Sequence, residues 1–208
     1  MRKERKVDSV KNGRLNPLCL ASKEGRESTV QLLLNDGVDV NSCDEETGNS
    51  PLIYACINGH DSIVQHLVNN GADVNLCTKT GASPLYVACQ DGHESTAQLL
   101  LNYGADVNLC TETEASPLYV ACQDGHESTA QLLLYNGADV NLCTRTGASP
   151  LHIACQDGHK STAQLLLDNG AEVNVCTETG ASPLHIACQD GHKSTAQLLL
   201  DNGAEVNV

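Results

Sequence analysis

Tryptophan and phenylalanine are absent from these 208 residues, and five tyrosines make up the whole aromatic complement. Globular cores draw much of their buried area from aromatic rings, so this one must be built from Leu, Val, Ile, Ala and Cys in thin layers. Long apolar runs are missing as well. No stretch approaches the roughly 20 residues that a helix needs to cross a bilayer. A secretory leader is not visible either, because the basic run at 2–6 leads into polar Asp8, Ser9 and Lys11 with no apolar core behind it. The expected setting is inside the cell, in the cytoplasm. The cluster at 2–6 would also serve as a nuclear import signal, although the plainer reading is a solvated tail.

Positive charge is scarce: 12 Lys and Arg stand against 26 Asp and Glu, for a net charge of −14. What there is gathers at the start. Residues 1–14 carry +4, which leaves −18 on the rest. An acidic body of that kind repels phosphate backbones, which argues against nucleic acid as a partner and favours a protein with a basic surface.

A disulfide framework is also excluded. The 11 cysteines are odd in number, and ten of them fall in two columns: Cys56, Cys89, Cys122, Cys155 and Cys188, and Cys43, Cys77, Cys110, Cys143 and Cys176. If each column runs along a stack of helices, neighbours lie roughly 8–10 Å apart. A disulfide needs its Cα atoms within about 7 Å. Reduced thiols follow.

What is present is repetition. Residues 149–175 return letter for letter as 182–208, looser copies begin at Ser116, Ser83 and Ser50, and a worn one begins at Asn16. Pro51, Pro84, Pro117, Pro150 and Pro183 fall 33 residues apart. A fixed period of this size signals a stacked array of supersecondary units. The repeats begin near 15, 49, 82, 115, 148 and 181, so the chain divides into a basic lead-in at 1–14 and an array at 15–208. The spacing between the first two copies is one residue longer, at Asp44-Glu45-Glu46, which marks that stretch as an exposed loop.

The third copy gives the local plan. Ser83 caps and Pro84 opens a helix of about two turns that ends at Gly92. Leu85, Ala88 and Cys89 share one face and should form its core side. A second helix is expected from Glu94 to Asn102, stopping at Gly104, with Thr96, Leu99 and Leu100 as its apolar stripe and Ala97 and Leu101 beside them. An extended segment then leads to a turn whose tip is Thr111-Glu112-Thr113.

The run Ser-Pro-Leu-His-Ile-Ala-Cys-Gln-Asp-Gly-His at 149–159, followed by Gln164-Leu-Leu-Leu and Asn169-Gly-Ala-Glu-Val-Asn174, resembles the ankyrin repeat, and the likeness covers residues 15–208 as six copies. The resemblance implies an all-α solenoid of helix–turn–helix units with short β-hairpin fingers. It also implies protein binding without catalysis, through the fingertips and the concave face of the first helices. The sequence departs from the family pattern where its histidine becomes Tyr86 and Tyr119, where Thr96 and Ala97 replace larger aliphatics, and where Glu114 replaces a turn glycine. If that last site needs positive φ, a penalty of about 1 kcal/mol follows, and the fourth finger is expected to bend differently.

Two constellations suggest chemistry and are better read as structure. Cys89 and His93, with their copies, set a thiol four residues before an imidazole. Repeated columns diverge along a stack and do not converge on a metal, and a thiol on the core face is inert. Asp91 and His93 lack a separate nucleophile or a phosphate loop. No catalytic residue, metal or cofactor is therefore expected.

The residues expected to contact a partner are the fingertips Lys79, Thr80, Glu112, Thr113, Arg145, Thr146, Glu178 and Thr179, together with the first-helix pairs Gln90-Asp91, Gln123-Asp124, Gln156-Asp157 and Gln189-Asp190. The alternative is that the chain is a piece of a larger signalling or ubiquitin-ligase protein, serving as its targeting or adaptor portion. A third expectation is self-association through an uncapped C-terminal end, since Leu198, Leu199 and Leu200 stand in an internal-type repeat.

Overall fold

A serine followed by a proline opens five of the helices, and local chemistry explains the choice. Ser83 is extended (φ −79°, ψ 163°), its hydroxyl accepts the backbone N–H of Tyr86, and Pro84 takes the first helical position, where no N–H is needed. Ser50, Ser116, Ser149 and Ser182 do the same, and Asn16 caps the helix that starts at Pro17. The computed structural model describes residues 15–206; the basic lead-in at 1–14 lies outside the described residues.

Twelve helices form among the described residues. The first helices of the units are α1 (Pro17–Lys23), α3 (Pro51–Ile57), α5 (Pro84–Gln90), α7 (Pro117–Gln123), α9 (Pro150–Gln156) and α11 (Pro183–Gln189). The second helices are α2 (Glu27–Asn35), α4 (Asp61–Asn69), α6 (Glu94–Asn102), α8 (Glu127–Tyr135), α10 (Lys160–Asp168) and α12 (Lys193–Asp201). First helices stack on first helices and second on second. The first helices are the shorter, yet they pack more closely on one another than the second helices do; theirs is the side that the resemblance makes concave, called the inner side below.

The core is a set of columns, one member per unit. Leu52, Leu85, Leu118 and Leu151 from the first helices and Leu67, Leu100, Leu133 and Leu166 from the second are fully enclosed, as are Cys56, Cys89, Cys122 and Cys155. At about 25 cal/mol per Å² of apolar surface, burial is the main favourable term, and it is spread evenly along the stack. Leu85, Ala88 and Cys89 lie on the core face as expected, and Val87 joins them. On α6 the buried residues are Thr96, Ala97 and Leu100, whereas Leu99 is half-buried. Unit two fills the same positions with Ile63 and Val64, so its layer holds more apolar volume.

Two ladders stitch successive units. The rings of His60, His93, His126, His159 and His192 reach back to the last carbonyl of the preceding first helix; Nε2 of His126, for example, lies 3.1 Å from the Gln90 oxygen. Gly92 meets a second demand here. Its φ is +69°, and a Cβ at that position would lie 2.6 Å from the His126 ring. Asparagines form the other ladder. Asn141 accepts the backbone N–H of Glu172 at 2.9 Å and donates to the Gly170 carbonyl at 3.2 Å.

The fingers are hydrogen-bonded turns, and no strand forms among the described residues. Thr78 N–H donates to Ala82 O and Gly81 N–H to Thr78 O. Adjacent tips are joined through the backbone, with Glu112 N–H on Thr80 O, Arg145 N–H on Thr113 O and Glu178 N–H on Thr146 O. Glu114 does adopt the left-handed conformation, at φ +64°. Its finger keeps the turn of its neighbours nonetheless: Glu114 N–H donates to Thr111 O at 2.9 Å, as Gly147 N–H does to Thr144 O. The expected bend of the fourth finger is not seen.

Candidate functional site

The inner side of the array presents two rows. The first is the C-terminal end of each first helix, where Asp91, Asp124, Asp157 and Asp190 occupy the C-cap. A carboxylate there faces the negative end of the helix dipole, a cost of about 0.3 kcal/mol or more each. No ion pair among the described residues offsets it. The first two units avoid the problem. Glu24 pairs with Arg26 at 2.8 Å, and Asn58 donates from its side chain to the Tyr54 carbonyl at 2.8 Å. The row from Asp91 to Asp190 is thus set against local helix stability. Gln90, Gln123, Gln156 and Gln189 stand beside these aspartates, equally exposed.

The second row is the finger edge. Lys79, Thr80, Glu112, Thr113, Arg145, Thr146, Glu178 and Thr179 are all exposed, yet their charges are not equally free. The Lys79 ammonium is folded back onto the Glu45 carbonyl. Nη2 of Arg145 donates to the Glu112 carbonyl, and its Nε lies 3.8 Å from Oε1 of Glu114. Neither Glu112 nor Glu178 forms an ion pair among the described residues. Both cations of this edge are spent on neighbouring fingers, and two of its acids face solvent.

The Cys–His columns do not meet. Cys89 is enclosed, and burial pushes its thiol far above the ordinary range, while the His93 ring is engaged 3.1 Å from the Ile57 carbonyl. Burial likewise raises Cys155, to about 12. The finger thiols Cys77, Cys110 and Cys143 are half-buried and also raised, first by burial and then by nearby carboxylates. Among the described residues no three His, Cys, Asp or Glu side chains gather in a metal-binding group, and no helix is long and apolar enough to cross a membrane.

The first helices also carry tyrosine, at two different positions: Tyr86 and Tyr119 are the third residues of α5 and α7, where α3 has Ile53 and α9 has His152, whereas Tyr54 is the fourth residue of α3. Tyr54 is buried, donates its hydroxyl to Oδ2 of Asp44 at 3.0 Å, and has the Lys23 ammonium 5.7 Å from its ring centroid. Tyr86 and Tyr119 are half-buried. Burial raises both phenols, and the charges of Asp124 beside Tyr86 and Asp157 beside Tyr119 raise them further. His152 is enclosed, with Nδ1 2.8 Å from the Ser149 hydroxyl and Nε2 3.1 Å from the Ala181 carbonyl. The departure from histidine was visible in the sequence, but nothing local told a capping ring from an open one.

The chain matches the family described as ankyrin repeats in three overlapping segments, 3–78, 61–144 and 118–208. Among solved structures it is similar to the crystal structure of the human ASB11 ankyrin repeat domain. The two share 32% identity over 93% of this chain and 86% of that one, with a TM-score of 0.85. No curated protein sequence matches. In all, 632 solved chains share the architecture, so the partner has to be read from the surface and not from the fold.

Proposed function

The chain belongs to the ankyrin-repeat family, whose fold generally mediates protein–protein interaction, and from that premise we propose that its inner face and finger edge bind a protein with a basic surface. The supporting observation is the row Asp91, Asp124, Asp157 and Asp190: four exposed, unpaired carboxylates held at helix C-termini where the dipole disfavours them. Like charges in a row repel, so a cationic partner gains by relieving that repulsion as well as by pairing. Each exposed pair contributes only about 0.2–1 kcal/mol, so affinity comes from several units acting together. Glu112 and Glu178 extend the same potential onto the fingers.

The test is affinity capture followed by surface plasmon resonance at two salt concentrations. Asp124→Lys with Asp157→Lys should weaken the captured partner about tenfold and flatten its salt dependence, mainly by slowing association. The control pair Gln131→Lys and Ser161→Lys, exposed on second helices, should leave binding unchanged. Equal losses from the two pairs would place the contact elsewhere.

A further inference from the structure

Thr96 and Thr195 are the third residues of α6 and α12, and each stands beside the start of the preceding second helix. For Thr96 that helix is α4, which opens with Asp61, and Oδ1 of Asp61 accepts the Thr96 hydroxyl. For Thr195 it is α10, which opens with Lys160. An ammonium offers a hydroxyl no acceptor. The Thr195 hydroxyl accordingly has no hydrogen-bond partner, although the residue is 0% exposed.

The helix start beside it is short of acceptors too. α10 has 9 residues, and its N-cap His159 makes no side-chain cap, so its first-turn N–H groups must find acceptors outside the helix. The positive end of the dipole disfavours a lysine at this place. Lys160 is exposed and makes no ion pair, and Lys193 repeats the arrangement at the start of α12. Every other cation among the described residues is engaged: Lys23 over the Tyr54 ring, Arg26 on Glu24, Lys79 on the Glu45 carbonyl and Arg145 on the Glu112 carbonyl. The carboxylates nearest in the chain, Asp157 and Asp190, and Glu127 at the start of α8 pair with neither lysine. A buried hydroxyl without an acceptor, an uncapped helix start and two free ammonium groups thus meet at one junction.

We propose that this junction is a binding site for a phosphate dianion, either free or carried as a phosphate monoester on a side chain of a partner protein. One ligand oxygen takes the place that Oδ1 of Asp61 holds beside Thr96 and accepts the Thr195 hydroxyl. The others accept the first-turn N–H groups of α10 and the ammonium groups of Lys160 and Lys193, whose helices stand roughly 8–10 Å apart. Every group offered is a donor, and a helix N-terminus favours negative charge. A phosphate monoester brings close to two charges and three acceptor oxygens, more than a carboxylate can. The Lys160 stem is exposed and flexible, so it swings aside to admit the anion. The other second helices of the same row do not offer the site. Asp61 fills its own place on α4, while α6 and α8 open with Glu94 and Glu127, whose charge turns an anion away.

The experiment is an NMR titration of the full chain at constant ionic strength with two probes, inorganic phosphate and N-acetyl-phosphoserine amide. Saturable shifts are expected in the first-turn amides of α10, with those of α4 unmoved, and the tighter probe identifies whether the anion is free or protein-borne. Thr195→Val keeps the shape of the side chain and should weaken binding about tenfold, through loss of a hydrogen bond to a charged acceptor. Lys160→Asp tethers a carboxylate where Asp61 stands on α4. It should abolish binding and raise the melting temperature in phosphate-free buffer, because the Thr195 hydroxyl then has an acceptor. Circular dichroism confirms that both variants keep the array. Absence of saturation with both probes, undiminished affinity in Thr195→Val, or retained binding in Lys160→Asp overturns the site.

Discussion

Replacing Thr162 with valine should stabilise the array, and the same change at Thr96 should not. Thr162 is 1% exposed on α10, and its hydroxyl has no hydrogen-bond partner. Thr96 occupies the equivalent place on α6, is 0% exposed, and donates its hydroxyl to Oδ1 of Asp61 on α4. The difference arises one unit back: the position held by Asp61 in the second unit is held by Glu127 in the fourth. Valine has the shape of threonine and the same β-branched stiffness in a helix, so the change is close to removal of the hydroxyl alone. A buried unpaired hydroxyl costs about 1–3 kcal/mol in proteins. Thr162→Val should therefore gain about 1–2 kcal/mol. Thr96→Val gives up a bond to a carboxylate, for which water only partly substitutes because Asp61 is half-exposed, so a loss of about 1 kcal/mol is expected. In a chain of this size 1 kcal/mol moves the melting point by roughly 2–4 °C. Stability in a repeat array is partly local, so urea melts should be accompanied by amide exchange of α10. Equal destabilisation by the two substitutions would refute the reasoning, since it would mean that the Thr162 hydroxyl is paired after all.

Glu114→Gly should stabilise by about 1 kcal/mol, because Glu114 is the non-glycine residue with positive φ among the described residues and its side chain gains only an exposed, 3.8 Å ion pair with Arg145; no change in urea midpoint would contradict this. Cys122→Asp should cost several kcal/mol by burying a charge, whereas Cys110→Asp, half-buried in a finger, should be tolerated; equal urea midpoints would mean that the two columns are misassigned. Burial raises the thiols of Cys56, Cys89, Cys122 and Cys155 above the ordinary thiol value of 9.0. Their neutral forms are thus favoured in the folded state, with that stability fully present below pH 9 and lost as pH rises through the folded values. Melting points should fall from about pH 9 upward, and Cys122→Ala with Cys155→Ala should flatten that fall; an unchanged slope would argue against it.

The sequence by itself determined the repeat, its helices and its core columns. Each of these is written locally. Ser-Pro starts a helix through contacts three residues apart, Gly92 ends one through its own backbone, and Leu85, Ala88 and Cys89 share a face by helical period alone. Six copies of the pattern leave little freedom in how the units stack. Tertiary structure alone decided which side chains meet across units, because those partners lie some thirty residues away and change with a single substitution in the neighbouring copy. Tyr54 closes on Asp44 of the preceding finger and lies under Lys23 of the first unit, contacts that nothing within its own helix announces. Arg145 and Lys79 read as free fingertip charges until their folding back onto the preceding finger is seen. The last two units put the distinction most plainly. Residues 149–175 and 182–208 are identical, yet His152 is 1% exposed and bonded to the following unit through the Ala181 carbonyl, whereas His185 is exposed. The same letters give a buried cap in one place and a surface ring in the other because burial is a property of what packs against a residue.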